Sequence, residues 1–323
     1  MDRQRRLPRR AALGLLALSG LLLGAVAAAQ PMTITLGTAT QGGGFGIYGE
    51  AVAGAIAAID PDLKVETRAT PGSAANVPML EKGELDLGLV QGTSAWETLA
   101  GPNRSQAHLR VVAAMYSSPG MFVVRADSPA QRIGDLRGQR IVLGAAGSGL
   151  VVLARHVLEG LGLDPAKDFE VVLLERAGDG PAMVIGGSAA ALWGGGVGWP
   201  GFDAMSKAPG GARFIGLTED EVARVRARHP YLSTMTVPAG AYPSIDQPLT
   251  TVGSWNLIVA RPGLADDVAY RVTRALHRGE AELGRRLAQA KETTAANTVS
   301  ATPRSDLLHP GTARYLREIG LLP

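Results

Sequence analysis

Residues 32–59 read MTITLGTATQGGGFGIYGEAVAGAIAAI: a strand-like run to residue 38, a glycine-rich loop at 40–49, then an apolar helix. The pattern repeats at once. LKVETRA (63–69) reads as a second strand, Ser73 or Asn76 opens a second helix ending near Glu81-Lys82-Gly83, and LDLGLVQ (85–91) is a third strand. Strands of this length alternating with helices predict parallel pairing, because a parallel connection must cross the sheet and a helix makes that crossing. The fold class is α/β.

Further along, VVAAMY (111–116), MFVVR (121–125) and RIVLG (140–144) read as strands, the last after the turn Asp135-Leu136-Arg137-Gly138. A helix over 150–162, a strand EVVLLE (170–175), a glycine-rich region (178–201) and a strand RFIGL (213–217) follow. TVGSWNLIVA (251–260) is a long strand, 265–290 is helical, and a short helix follows His309-Pro310-Gly311. The two glycine-rich strand-to-helix loops, at 40–49 and 144–149, resemble each other; no longer repeat stands out.

The 323 residues suffice for two domains, and 46% hydrophobic content supplies a large core. Gly (42) and Pro (20) follow no collagen-like period, which excludes a fibrous chain. With no cysteine, a disulfide scaffold, a thiolate zinc site and a Cys nucleophile are excluded. The basic balance belongs to one end. Residues 1–29 carry Arg3, Arg5, Arg6, Arg9 and Arg10 against Asp2, a net +4 out of the whole-chain +3, so the remainder is at −1. No basic, aromatic-interleaved patch is left to hold nucleic acid.

That basic end reads as an export signal. MDRQRRLPRR precedes an apolar run, Ala11 to Val26, and Ala27-Ala28-Ala29 offers a cleavage site before Gln30. The competing reading is a membrane anchor, but the run ends in small residues rather than a stop-transfer charge. Arg9-Arg10 leaves Sec and twin-arginine export both open. The mature protein is expected in the periplasm.

Gly44, Gly46 and Gly49 spell G-x-G-x-x-G between a strand and a helix. A dinucleotide site would also want an acidic residue ending the second strand, and Glu66 sits mid-strand instead. The stronger physical reading is that glycines let backbone amides approach a ligand while a helix N-terminus favours an anion. Gly144-Ala145-Ala146-Gly147-Ser148-Gly149 is a second such loop, in which Ser148 also reads as a plain N-cap; Ala146 breaks the G-x-S-x-G elbow of a hydrolase. The five histidines (108, 156, 229, 277, 309) form no ligand spacing, so no metal is expected.

Several segments together resemble the TAXI family, the TRAP-associated extracytoplasmic immunogenic proteins. They are ITLGTATQGGGFGIYG, RATPGSAANVPMLEKGELDLGLVQGTSAW, VVRADSPAQRIGDLRGQRIVLGAAGSG, HPYLSTMTVPAGAYPSIDQPLTTVGSWNLIVA and LHPGTARYLREIGL. The resemblance implies a substrate-binding subunit of a tripartite ATP-independent periplasmic (TRAP) transporter, with a type II periplasmic-binding-protein fold. That fold has two lobes joined by crossover strands, with a ligand cleft between them. Carried onto this chain, lobe one is 32–120 plus 253–323 and lobe two is 121–252, with crossovers near MFVVR and SWNLIVA. Two stretches depart from the family pattern. One is 179–201, with LWGGGVGWPG at 192–201; the other is the first loop, where Gly-Phe-Gly replaces a pair of aromatics.

The expected function is capture of a small carboxylate-bearing solute, organic-acid or amino-acid-like, for TRAP integral membrane subunits, by a monomer without cofactor. Expected ligand-binding residues are Thr38, Gln41, Gly43, Gly44, Tyr48, Ser73, Asn76, Gln91 and Thr93 from lobe one, and Ser148, Gly149 and Trp199 from lobe two. The loop segments holding them carry no Lys or Arg, so a carboxylate would rest on amides, hydroxyls and helix N-termini, with Arg68 and Arg125 at nearby strand ends the exceptions. The alternative class is a periplasmic dehydrogenase or esterase using the glycine-rich loop, which would turn its ligand over.

Overall fold

The computed structural model describes residues 32–102 and 104–323, so the export signal read at 1–29 lies outside the described residues. The strands are β1 (Met32–Gly37), β2 (Leu63–Arg68), β3 (Leu87–Val90), β4 (Arg110–Arg125), β5 (Arg140–Ala145), β6 (Glu170–Leu174), β7 (Ala191–Gly195), β8 (Ala212–Ile215), β9 (Ser233–Val237) and β10 (Leu249–Ala260). Helices α1 (Gly44–Ile59), α2 (Ser73–Glu81), α3 (Gly92–Leu99), α4 (Gly149–Gly160), α5 (Pro165–Asp168), α6 (Gly180–Ile185), α7 (Pro200–Lys207) and α8 (Glu219–Arg228) precede β9. After β10 come α9 (Asp266–Arg278), α10 (Glu280–Arg286), α11 (Ala295–Ala301) and α12 (Pro310–Glu318).

The strands join in the order β2-β1-β3-β10-β4-β7-β5-β6, with β8 beside β4 and β9 beside β10. In the first lobe β1 pairs in parallel with β2 and β3, and β10 closes the set antiparallel to β3. In the second, β5 pairs in parallel with β6 and β7. This is the type II periplasmic-binding-protein fold, and β4 and β10 are the strands that serve both lobes.

The sequence reads 111–116 and 121–125 as separate strands, but the chain runs through as one strand, β4. The intervening Ser-Ser-Pro-Gly is the handover between lobes. Pro119 stands opposite Gly253 of β10, and the next residue, Gly120, stands opposite Gly195 of β7. Proline lacks the ladder N–H, so it fits where pairing changes partner. Both glycines are sterically required here: a Cβ on Gly253 would lie 2.2 Å from the Ser118 carbonyl oxygen, and one on Gly120 would lie 2.5 Å from the Trp193 ring.

A second difference is the helix read over 265–290. It breaks into α9, α10 and a 3-10 turn, Ala288–Glu292. The breaks fall at Gly279, where helix propensity is weak, and at Leu287, which adopts an extended backbone.

Tyr48, Ala51, Val52, Ala55 and Ile56 face inward on α1 at helical spacing. They join Leu36, Met115, Ile258 and residues of α9 and α10 in one core, so residues 258–290 pack with residues 34–116. The second lobe has its own cores, built from residues 121–252. Each fully buried Leu, Ile or Phe contributes about 1.5–3 kcal/mol. Asp60, at the C-terminus of α1, is clamped by Arg271 of α9 at 2.7 Å, and that guanidinium holds its carboxyl below the usual range.

Candidate functional site

Four helices start at the gap between the lobes. Their first residues or caps, Gly43 and Gly44 of α1, Gly72 and Ser73 of α2, Gln91 of α3 and Ser148 of α4, line one cavity of about 60 Å³. That is several times the ~10–15 Å³ a single water needs. α1 and α2 start on glycine with no side-chain cap. In α3 and α4 the caps are internal: Gln91 accepts from the Thr93 N–H and Ser148 from the Leu150 N–H. Helix N-termini carry partial positive charge; α1 and α2 have no side-chain cap, while one N–H each of α3 and α4 is met by its own cap, and four such starts around one volume favour an anion there. No Lys, Arg, His, Asp or Glu is among the lining residues described.

The crossover strands supply the floor: Tyr116 and Ser118 from β4, and Asn256 from β10. Trp193 and Trp199 wall the lobe-two side. Trp199 is 6% exposed and meets Phe202 edge to face at 5.0 Å, so it serves both the wall and the core behind it. Burial pushes the Tyr116 phenol far up its titration range, with Glu292 adding to the effect, so the hydroxyl stays protonated.

The lobes touch on both sides of this cavity. The Ala177 N–H donates to Thr40 Oγ1 at 3.3 Å, and Gly42 lies so near Gly178 that a Cβ on Gly42 would be 2.6 Å from its Cα. On the other side the Ala74 N–H donates to the Gly147 carbonyl at 3.2 Å. The arrangement is closed.

Of the residues expected at the site, Gly43, Gly44, Ser73, Gln91, Ser148 and Trp199 line the cavity. The others stand elsewhere. Thr38 is buried behind it, its Oγ1 donating to the Arg68 carbonyl at 3.2 Å. Asn76 ties backbone together, donating to the Thr38 and Leu89 carbonyls. Tyr48 is in the core, hydrogen-bonded to Thr293 at 2.9 Å. Thr93 is fully buried in α3. Gly149 packs at the lobe contact, where a Cβ would lie 2.5 Å from Gln91. Gln41 is exposed in an outer groove with Pro71 and Glu175. Arg68 and Arg125 do not reach the cavity; Arg125 pairs with Asp127 at 3.0 Å. Sequence reasoning missed Tyr116, Ser118 and Asn256. Their signal was present: polar residues interrupting the two longest apolar strands.

A second cleft of about 640 Å³ opens on the outside of the lobe contact. There Trp96 of α3 stacks on Tyr231 at 4.1 Å, and His156 of α4 stacks on His229 at 4.2 Å. Tyr231 also hydrogen-bonds His156 Nδ1. Burial, aided by His229, pushes His156 down to about 4, and burial lowers His229 as well. Around them stand Glu97 and Glu159, at 3.5 and 3.9 Å from the imidazoles, and Arg228 beside His229. A histidine whose folded pKa is depressed stabilises the fold fully above its unfolded value near 6.5, and that stability is lost as pH falls from there toward the folded value. Glu97, raised by burial, opposes part of this. The melting temperature should therefore fall between pH 7 and pH 5, by on the order of 1–2 kcal/mol of stability after discounting for partial exposure. His156→Gln should flatten that slope in thermal melts; an equal slope in the variant would clear His156 of the effect.

Solved structures share the architecture. A candidate L-cystine ABC transporter from Listeria monocytogenes superposes with TM-score 0.50 at 15% identity, covering 81% of this chain and 99% of its own. A TctC solute-binding protein from Polaromonas gives TM-score 0.50 at 15% identity, with 92% and 100% covered. Full-length BenM gives 0.51 at 13% identity, with 80% and 70% covered. At these identities the likeness fixes the fold and leaves function to the site. Residues 36–320 match the NMT1-like family over nearly all of the described chain, and the protein therefore belongs to the NMT1-like family.

Proposed function

We propose that this chain is an extracytoplasmic solute receptor rather than an enzyme. On this reading it captures a small carboxylate-bearing metabolite and delivers it to the integral membrane subunits of a TRAP transporter. The observation that carries the reading is the meeting of four helix N-termini on one cavity lined by uncharged residues, with the lobes touching on both sides of it. Amides and the hydroxyls of Ser73 and Ser148 hold the carboxylate, and Trp199 and Trp193 shield it from water. Closure follows from differential affinity: ligand contacts from both lobes exist only when the lobes meet, so binding draws the open form toward the closed one. Lobe one is taken as 32–120 plus 253–323 and lobe two as 121–252. The TAXI resemblance supports the TRAP partner, and the leader at 1–29 supports export with cleavage near Gln30. Among the described residues no helix is long and apolar enough to cross a membrane.

Calorimetry and thermal melts on the chain from Gln30 onward test the reading. One equivalent of a carboxylate should bind, with a melting shift that grows with ligand concentration, by about 2.7 kcal/mol at a hundredfold excess over Kd. Binding confined to cationic or wholly apolar solutes would refute the anion site, and turnover of the bound carboxylate would refute the receptor. Uptake that persists after the ion gradient is collapsed, and stops when ATP is depleted, would refute the TRAP partner.

A further inference from the structure

At the floor of the cavity, Asn256 is fully buried. Its Nδ2 donates to the Tyr116 carbonyl at 3.0 Å and to Ser118 Oγ at 2.8 Å. The Tyr116 carbonyl can only accept, so the amide is fixed in this sense and a flip is excluded. Its Oδ1 is left buried without a protein donor. A second carboxamide stands nearby. Gln289, on the 3-10 turn Ala288–Glu292, is 6% exposed, and neither its Nε2 nor its Oε1 has a protein partner. Gln289 Nε2 and the Tyr116 ring both crowd Gly196, at 2.7 and 3.4 Å from where a Cβ would sit. Gly196 follows Gly195, which lines the cavity. The absence of a side chain at Gly196 thus lets Gln289 approach, from lobe one, the backbone just behind the cavity wall at Gly195. Tyr116 spans the two regions: its hydroxyl lies 3.1 Å from the Cβ position of Gly44, at the N-terminus of α1.

Buried amide groups left unpaired cost stability, and replacing them with apolar atoms of the same shape removes that cost. Two such groups, one lining the cavity and one behind its wall at Gly196, are explained if a ligand completes them. We infer that Asn256 Oδ1 and the Gln289 carboxamide form a specificity subsite for an uncharged group that both donates and accepts hydrogen bonds, a primary carboxamide, on a ligand whose other end is a carboxylate. This rests on the anion reading of the helix N-termini and deepens it. A second carboxylate does not suit the subsite: its oxygens would face Asn256 Oδ1 with no cation among the described lining residues to offset them. A methyl group there would leave both amides unpaired.

The test uses probes differing only at that end: succinamate, succinate and butyrate, and the five-carbon set glutaramate, glutarate and pentanoate. In at least one set the amide acid should bind tighter than both partners by about tenfold or more, since a site built for hydrogen bonds discriminates against analogues lacking them. Gln289→Met, which keeps length without polar atoms, should bring the three within about threefold while the ligand-free melting temperature holds or rises. A dicarboxylate equal to or tighter than the amide acid overturns the subsite. So does a preference that survives Gln289→Met, or a lower ligand-free melting temperature with the preference intact, which marks a structural amide. If no carboxylate binds, the anion reading has failed. Butanamide, run in parallel, then decides the subsite: binding lost in Gln289→Met supports it, and no binding overturns it.

Discussion

Gly44→Val should leave the protein folded and remove ligand binding, with affinity down by about a hundredfold or more, or roughly 2.7 kcal/mol. Gly44 is the first residue of α1 and its backbone is not left-handed, so valine meets no conformational barrier there. The new Cβ would sit 3.1 Å from the Tyr116 hydroxyl and 3.5 Å from Trp199 Cδ1. Its two methyls would extend into a cavity of only about 60 Å³, displacing a ligand carboxylate from the N-terminus of α1. Gly46→Ala is the matched control. Nothing lies within 4 Å of its Cβ position, so it should keep full affinity and gain about 0.5–1 kcal/mol of helix stability. Calorimetry with the tightest-binding carboxylate, alongside melts of both variants, reads the result. Unchanged affinity in a folded Gly44→Val would show that the loop at 40–49 is only a turn.

The fold was legible because its signals are local. Alternation in MTITLGT, the helical spacing of 48–56 and the strand at 85–91 each depend on neighbours in sequence. What stayed hidden depends on tertiary context. Ser117-Ser118-Pro119-Gly120 separates two apolar strands in the sequence until β4 is seen handing its pairing from β10 to β7. The site was half legible for the same reason. Glycine and serine at helix starts announce themselves, so Gly43, Gly44, Ser73 and Ser148 were readable as cavity residues. Tyr116, Ser118 and Asn256 are placed by the crossover, which brings residues more than a hundred positions apart into one floor. Thr93 was read as a binding residue, and Tyr48 as an aromatic either flanking an apolar part of the ligand or sitting in the core. Burial turns both inward.

Asn76 is the sharpest case, and its substitution should produce the largest loss of stability. The residue was expected to meet the ligand. The structure uses it as a tie: Nδ2 donates to the carbonyls of Thr38 and Leu89, both at 2.8 Å, and more weakly to Gly37 at 3.3 Å. Its Oδ1 accepts from Thr70 Oγ1 at 2.7 Å. One side chain thereby fixes the end of β1, the end of β3 and the turn into α2, the three segments that bring Gly43, Gln91 and Ser73 to the cavity. Asn76→Leu would take from the Leu89 carbonyl its side-chain donor and leave the Thr38 carbonyl and the Thr70 hydroxyl proton only their bond to each other at 3.1 Å, at about 1–3 kcal/mol for a buried group left unpaired, of which relaxation and water recover part. A net loss of about 2 kcal/mol should lower the melting temperature by roughly 3–4 °C in a chain of this length. Asn76→Asp should be worse at neutral pH, because a carboxylate cannot donate and would face the same carbonyl oxygens with a negative charge. Protonation on acidification should restore part of the difference between the two variants. Ligand affinity of folded Asn76→Leu, measured well below its melting temperature, should stay within a few-fold of wild type. An unchanged melting temperature with binding abolished would return Asn76 to the ligand and break the tie assigned to it.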